Sequence, residues 1–144
     1  MNKLLLDSQL CFPLYALSRQ VTAQYRPLLE KLDLTYPQYL VLLLLWELDN
    51  RTVGELGERL LLDSGTLTPL LKRMEQKGLL TRQRNPTDER QVTIQLTESG
   101  RGLQQQAMDI PTQLVQSMNL DEQQVVDLRN QLQTILQQLS KTVN

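Results

Sequence analysis

Between Thr52 and Thr97 the apolar positions change period twice, which divides the stretch into a helix, a second helix and a hairpin. Leu56, Leu60 and Leu61 give the first helix one apolar face, and Thr52 with Glu55 three residues on is a capping pair for its start. Leu62-Asp63-Ser64-Gly65 breaks that face and supplies new cap residues. Leu67, Leu70, Leu71 and Met74 then recur at i, i+3, i+4 and i+7, the buried stripe of a second helix that runs to Gly78, a left-handed stop. Gly65, Thr68, Pro69, Lys72, Arg73 and Gln76 lie on or beside the opposite face. Past Gly78 the pattern alternates. Val92, Ile94 and Leu96 face one way against Thr93, Gln95 and Thr97, Leu79 to Arg84 is a partner strand, and Asn85-Pro86-Thr87-Asp88-Glu89-Arg90 holds the turn residues between them. Two helices followed by a hairpin form a winged helix-turn-helix. Such a module places its second helix in the major groove of DNA, N-terminal residues at the base edges, and a basic wing reaches the adjacent minor groove.

The flanks read as helices. Residues 1–32 form one long, interrupted helix with Leu14, Leu17, Val21 and Tyr25 on its apolar stripe. Its start is either Asp7 or Ser8, with Pro13 costing a hydrogen bond, or nearer Phe12, with Pro13 in the first turn. Pro27 is expected to bend or end it. Thr35-Tyr36-Pro37-Gln38 is a capping box that launches a helix, apolar nearly all round, to about Leu48, the floor for the two reading helices. Thr97 caps a further helix that Pro111 is expected to kink, and Asn119-Leu120-Asp121-Glu122 caps the last one. In that helix Val125, Leu128, Leu132, Ile135 and Leu139 repeat at 3, 4, 3, 4, the seam of a helix lying along a partner: a second subunit, or the first helix of the same chain. The predicted fold class is mostly α with a small β-hairpin wing. A single domain, 1–144, holds the winged helix-turn-helix at 33–97 and dimerisation helices at 1–32 and 98–144.

Charge sharpens this picture. The net charge of the 144-residue chain is −1. From residue 72 to 90, however, Lys72, Arg73, Lys77, Arg82, Arg84 and Arg90 stand against Glu75, Asp88 and Glu89, a local net of +3. Phosphate neutralisation supplies most non-specific affinity for DNA, so a chain with little net charge must concentrate its field on the binding face. A protein-binding winged helix without DNA affinity is the competing reading of that face.

Composition removes chemistry. The chain has no histidine and one cysteine. A structural zinc site, a Ser-His or Cys-His catalytic pair and an intramolecular disulfide therefore cannot be assembled within it, and neither a metal nor a cofactor is expected. No secretory leader is read at the start, and the apolar run Tyr39 to Trp46 is far short of the roughly 20 residues that cross a bilayer, so the expected place is the cytoplasm with no membrane partner. The one thiol, Cys11, sits near a helix start.

The sequence resembles the MarR family of bacterial transcription regulators, and within it the one-cysteine branch of organic hydroperoxide resistance regulators. Four segments carry the resemblance, which spans nearly the whole chain: Leu10-Cys11-Phe12-Pro13-Leu14-Tyr15, Leu34-Thr35-Tyr36-Pro37-Gln38-Tyr39, Asp63 to Glu75, and Asp88-Glu89-Arg90. It implies that Cys11 is the reactive cysteine, that Tyr25 and Tyr36 hydrogen-bond it across a dimer interface, and that Tyr15 moves on oxidation. It further implies that Arg90 enters the minor groove with Asp88 holding it. Ser64, Gly65, Thr66, Thr68, Pro69, Lys72, Arg73 and Arg82 make up the rest of the expected DNA surface. Pro13 departs from the family, which has a small helix-compatible residue there.

The expected function is a homodimeric repressor on double-stranded DNA with an inverted-repeat operator, released when an organic hydroperoxide and a low-molecular-weight thiol modify Cys11. The alternatives are a MarR-type repressor released by a small aromatic ligand, with Cys11 incidental, and a thiol peroxidase.

Overall fold

The computed structural model describes residues 2–142. Seven α-helices and three short strands are found among the described residues: α1 Cys11–Glu30, α2 Tyr36–Glu47, β1 Arg51–Thr52, α3 Val53–Leu60, α4 Ser64–Gln76, β2 Leu80–Arg84, β3 Val92–Leu96, α5 Glu98–Ala107, α6 Ile110–Ser117 and α7 Glu122–Thr142. The chain divides into two compact units, Met1–Met108 and Asp109–Asn144.

In the first unit, α2 is the floor, as its composition requires. Thr35 and Gln38 close both hydrogen bonds of the capping box, Pro37 lies in the first turn, and Tyr39, Val41, Leu42, Leu44 and Leu45 are buried. Leu56 of α3 and Leu67, Leu70, Leu71 and Met74 of α4 are buried as well, so the expected stripe of the second reading helix is the observed one. Thr52 accepts from the Glu55 N–H at 3.1 Å to start α3, and Asp63 accepts from the Thr66 N–H at 2.8 Å to start α4. Between these helices the chain turns tightly. A Cβ on Gly57 would stand 2.9 Å from the Leu62 carbonyl oxygen, so only glycine lets the turn close. Gly78, at φ 77°, ends α4 in the left-handed conformation.

The wing pairs β2 with β3 in antiparallel register from Leu80↔Leu96 to Arg84↔Val92, and Ile94 and Leu96 point into the core. A third strand, β1, pairs on the other edge of β3 through Arg51↔Ile94 and Thr52↔Thr93. Two residues are too few to show a period, which is why alternation does not reveal it.

The structure corrects the reading of several helix ends. Leu61 is not part of the α3 apolar face: it is the left-handed C-cap, at φ 57°, and is exposed. Asp7 and Ser8 do not cap α1. They lie in a 3₁₀ turn over Leu6–Ser8, and α1 begins at Cys11 after Leu10, which offers no side-chain cap. Pro13 thus falls in the first turn, where its missing N–H would be unpaired in any residue. Pro27 does not end α1, which continues to Glu30. Thr97 caps α5 through the Gly100 N–H at 3.1 Å, but α5 stops at Ala107 and Pro111 sits in the first turn of a separate helix. Proline there opens α6 rather than kinking α5, because its fixed φ suits a helix start.

In the second unit Ile110 and Leu114 of α6 are buried. The Asp121 carboxylate accepts from the Gln124 N–H at 2.8 Å, and the Gln124 amide oxygen accepts from the Asp121 N–H at 2.9 Å, so the expected cap of α7 is a reciprocal one. Along its seam Val125, Leu128 and Leu132 are half-buried, while Ile135 and Leu139 are exposed.

Candidate nucleic-acid interface and thiol centre

The reading face is built by α4 and the wing. Asp63 holds the first turn of α4, and the N–H and side-chain hydrogen bonds from Thr66 keep its carboxyl below the usual carboxylate range. That cap presents Ser64, Gly65 and Thr66 on an exposed helix start, followed by half-buried Thr68 and exposed Pro69, Lys72 and Arg73. Ser64 and Thr68 share a groove of about 380 Å³ with Arg82 and Arg90 of the wing. Arg73 and Thr66 line a second cleft on the other flank of α4, with Gln38 and Lys77. The predicted DNA residues are thus brought to two flanks of one helix and to the wing beside it.

The wing turn is organised by short polar contacts. The Asn85 N–H donates to the Gln91 carbonyl at 2.8 Å, and the Thr87 hydroxyl donates to the Asn85 side-chain oxygen at 2.8 Å. Asp88 accepts from the Arg90 backbone N–H at 3.1 Å and from its guanidinium at 3.4 Å. The Arg90 side chain is otherwise 94% exposed, a cation aimed into solvent from a fixed base. Arg82 differs: its guanidinium and backbone N–H both donate to the Glu75 carboxylate, at 3.3 and 3.0 Å, which ties β2 to α4.

The thiol region is built on α1 and α2. Cys11 is exposed in the first turn of α1, with Leu10, Phe12, Leu14, Tyr15 and Leu17 also exposed around it. Tyr15, one turn on, stacks under the Arg19 guanidinium at 4.4 Å. Tyr25 and Tyr36 meet each other with ring centroids 4.6 Å apart, and Tyr39 joins them at 5.8 and 6.4 Å. Burial, with the neighbouring phenols, pushes the Tyr25 hydroxyl well above its ordinary value, and burial raises Tyr36 and Tyr39 too, so all three remain neutral proton donors. The structure does not bring Cys11 to these rings within one chain. Fourteen residues separate Cys11 from Tyr25 on the same helix, about 21 Å at a rise of about 1.5 Å per residue.

Four residues outside the expected set hold this unit together. Arg51 is buried and donates to the Leu44 and Leu48 carbonyls at 3.1 and 2.9 Å, closing the end of α2. Asp49 accepts from the Leu96 N–H at 3.0 Å and lies 3.4 Å from Arg101. Trp46, 6.5 Å from Tyr39, donates to the Gly100 carbonyl at 2.9 Å. Lys77 donates to Gln38 across 39 residues of sequence. The pairings of Asp49, Trp46 and Lys77 span dozens of residues and leave no local spacing to read.

Among the described residues no group of three or more His, Cys, Asp or Glu could hold a metal ion, and no helix is long and apolar enough to cross a membrane.

Comparison with known proteins agrees with this fold. Residues 23–107 match the family "Transcriptional regulator SarA/Rot". The organic hydroperoxide resistance transcriptional regulator of Bacillus subtilis is 54% identical over 134 residues, covering 93% of this chain and 91% of that protein. Reduced AbfR bound to DNA superposes with a TM-score of 0.81 at 35% identity, covering 96% of this chain and 95% of the other. Overoxidised AbfR bound to DNA gives 0.76 at 40%, covering 93% and 94%. Wild-type apo MarR of E. coli gives 0.66 at 28%, covering 89% and 97%.

Proposed function

The chain belongs to the SarA/Rot family of transcriptional regulators and to the MarR-type organic hydroperoxide regulators, and on that premise we propose that its homodimer represses from an inverted-repeat operator until Cys11 is oxidised. One observation carries the reading: an exposed thiol lies about 21 Å along α1 from a neutral tyrosine pair, so only a second chain can supply the phenols it needs. The exposed apolar side chains around Cys11 support such a partner, since a contiguous apolar surface of this kind is covered by association. A two-fold dimer then carries two reading heads to half-sites about 34–36 Å apart. The cytoplasm is the compartment this requires.

The chemistry follows from a lone cysteine. The Cys11 thiolate attacks the terminal oxygen of an organic hydroperoxide; the O–O bond breaks, the organic fragment leaves as the alcohol after taking a proton, and the sulfur becomes a sulfenic acid. With no second cysteine in the chain, a low-molecular-weight thiol condenses with it, forming an S–S bond and releasing water. Overoxidised AbfR is bound to DNA, which favours the larger disulfide adduct, rather than added oxygen alone, as the step that ends DNA binding here. A bulky group between closely packed subunits displaces the helices that set the spacing of the two heads. A preference of about 5.5 kcal/mol is enough to turn a 99:1 equilibrium over.

The test is an operator gel shift after organic hydroperoxide and a small thiol, with mass spectrometry of the same sample. The parent is released and carries one adduct per chain; Cys11→Ser stays bound. Equal release of both forms sinks the reading. A cavity of about 450 Å³ lined by Arg26, Leu29, Glu30, Asp33, Tyr36 and Lys77 supports, as a second reading, release by a small aromatic ligand, which a phenolic ligand acting on Cys11→Ser would reveal.

A further inference from the structure

Lys77 is the C-cap residue of the reading helix α4, yet its side chain leaves that helix and crosses to the turn before α2. Its ammonium donates to the Asp33 carbonyl and, at 3.1 Å, to the side-chain oxygen of Gln38, and it lies 3.7 Å from the Asp33 carboxylate. Gln38 is buried, and the same oxygen accepts the Thr35 N–H at 3.1 Å. One amide oxygen therefore both closes the capping box of α2 and receives the end of α4. Tyr36 stands between Thr35 and Gln38 in that turn, packed against Tyr25. A helical first turn held by two reciprocal bonds moves as a body, so displacement of Tyr36 moves Gln38 and whatever Gln38 holds.

We propose that Lys77 is a positioning residue of the switch, tying the last turn of α4 to the Thr35–Gln38 turn so that a shift of Tyr36 displaces the reading helix. The direction of signalling rests on the Cys11 reading; the mechanical tie does not. The ion pair with exposed Asp33 contributes little. Without the ammonium, the Gln38 oxygen keeps its Thr35 N–H, so the capping box of α2 stays closed while its link to α4 is removed.

Hydrogen exchange of the amides at Lys77, Gly78 and Leu79 is measured on the full-length reduced protein. Tyr36→Leu speeds their exchange about tenfold. Lys77→Met speeds it alone, and adding Tyr36→Leu then changes nothing further; Lys77→Arg restores the response to Tyr36. An undiminished Tyr36 effect in the Lys77→Met background, or no effect in the parent, overturns the proposal. Operator affinity gives a readout that a purely structural lysine would not move. The ratio between reduced and thiol-capped affinity, taken within each variant so that any lost phosphate attraction cancels, falls about tenfold in Lys77→Met, and a ratio equal to the parent's contradicts the tie. If the parent itself keeps its operator after capping, the Cys11 reading fails, and exchange alone decides for or against Lys77.

Discussion

At the scale of single residues, the buried neutral phenols and the exposed Arg90 cation each fix a measurable outcome. The folded state raises the Tyr25 pKa, so the stabilisation it represents is complete below the ordinary phenol value of about 10 and is lost progressively as pH rises from there toward the higher folded value, because the unfolded chain ionises first. Urea melts from pH 8 to 11 should show the parent losing stability faster than Tyr25→Phe, which keeps the ring stack without the ionisation; parallel losses would contradict the assignment. On the DNA side, Arg90→Ala should weaken operator binding by about tenfold or more with little change in major-groove preference. Lys72→Ala, an exposed α4 cation, should lower the slope of log affinity against log salt by about 1, and an unchanged slope would remove it from the phosphate contacts. Legibility of the site divides along the same line. The α4 residues and Arg90 stand out because cap, stripe and charge coincide within about 30 residues of sequence. The partners of Gln38, Asp49 and Trp46 do not, since each is fixed by a tertiary contact dozens of residues away.

At the scale of elements, helix interiors are legible, and so are the ends that a side-chain cap marks, at Thr35, Thr52, Thr97 and Asp121. The stripe of α4 and the alternation of β3 each repeat over several residues, and both are where their periods put them. Ends marked by proline alone mislead: Pro111 sits in the first turn of α6, and Pro27 is carried within α1. Two glycines of α5 show why context decides. A Cβ on Gly100 would stand 2.1 Å from the Leu79 carbonyl oxygen, whereas nothing lies within 4 Å of one on Gly102. Gly100→Ala should therefore destabilise by about 1–3 kcal/mol despite the better helix propensity of alanine. Gly102→Ala, free of that clash, should stabilise by about 0.5–1 kcal/mol. Chemical denaturation of the two variants reads both signs, and a stabilised Gly100→Ala would mean that α5 does not pack on the start of the wing as described.

At the scale of the whole molecule, a chain of net charge −1 can hold DNA because six of its basic residues fall between Lys72 and Arg90, on and beside the reading helix. Cys11 and Tyr25 lie about 21 Å apart along α1, so in the proposed mechanism the thiol meets the Tyr25–Tyr36 pair of a second subunit. The most direct measurement takes the reduced protein, converts every Cys11 to a mixed disulfide with a small thiol, verifies mass and subunit number by native mass spectrometry, and titrates operator DNA against both forms. The account predicts a dimer in the reduced state that binds the operator, and a fully capped protein whose affinity is weaker by about a hundredfold or more. A reduced monomer, or a fully capped dimer that binds as tightly as the reduced one, would contradict it.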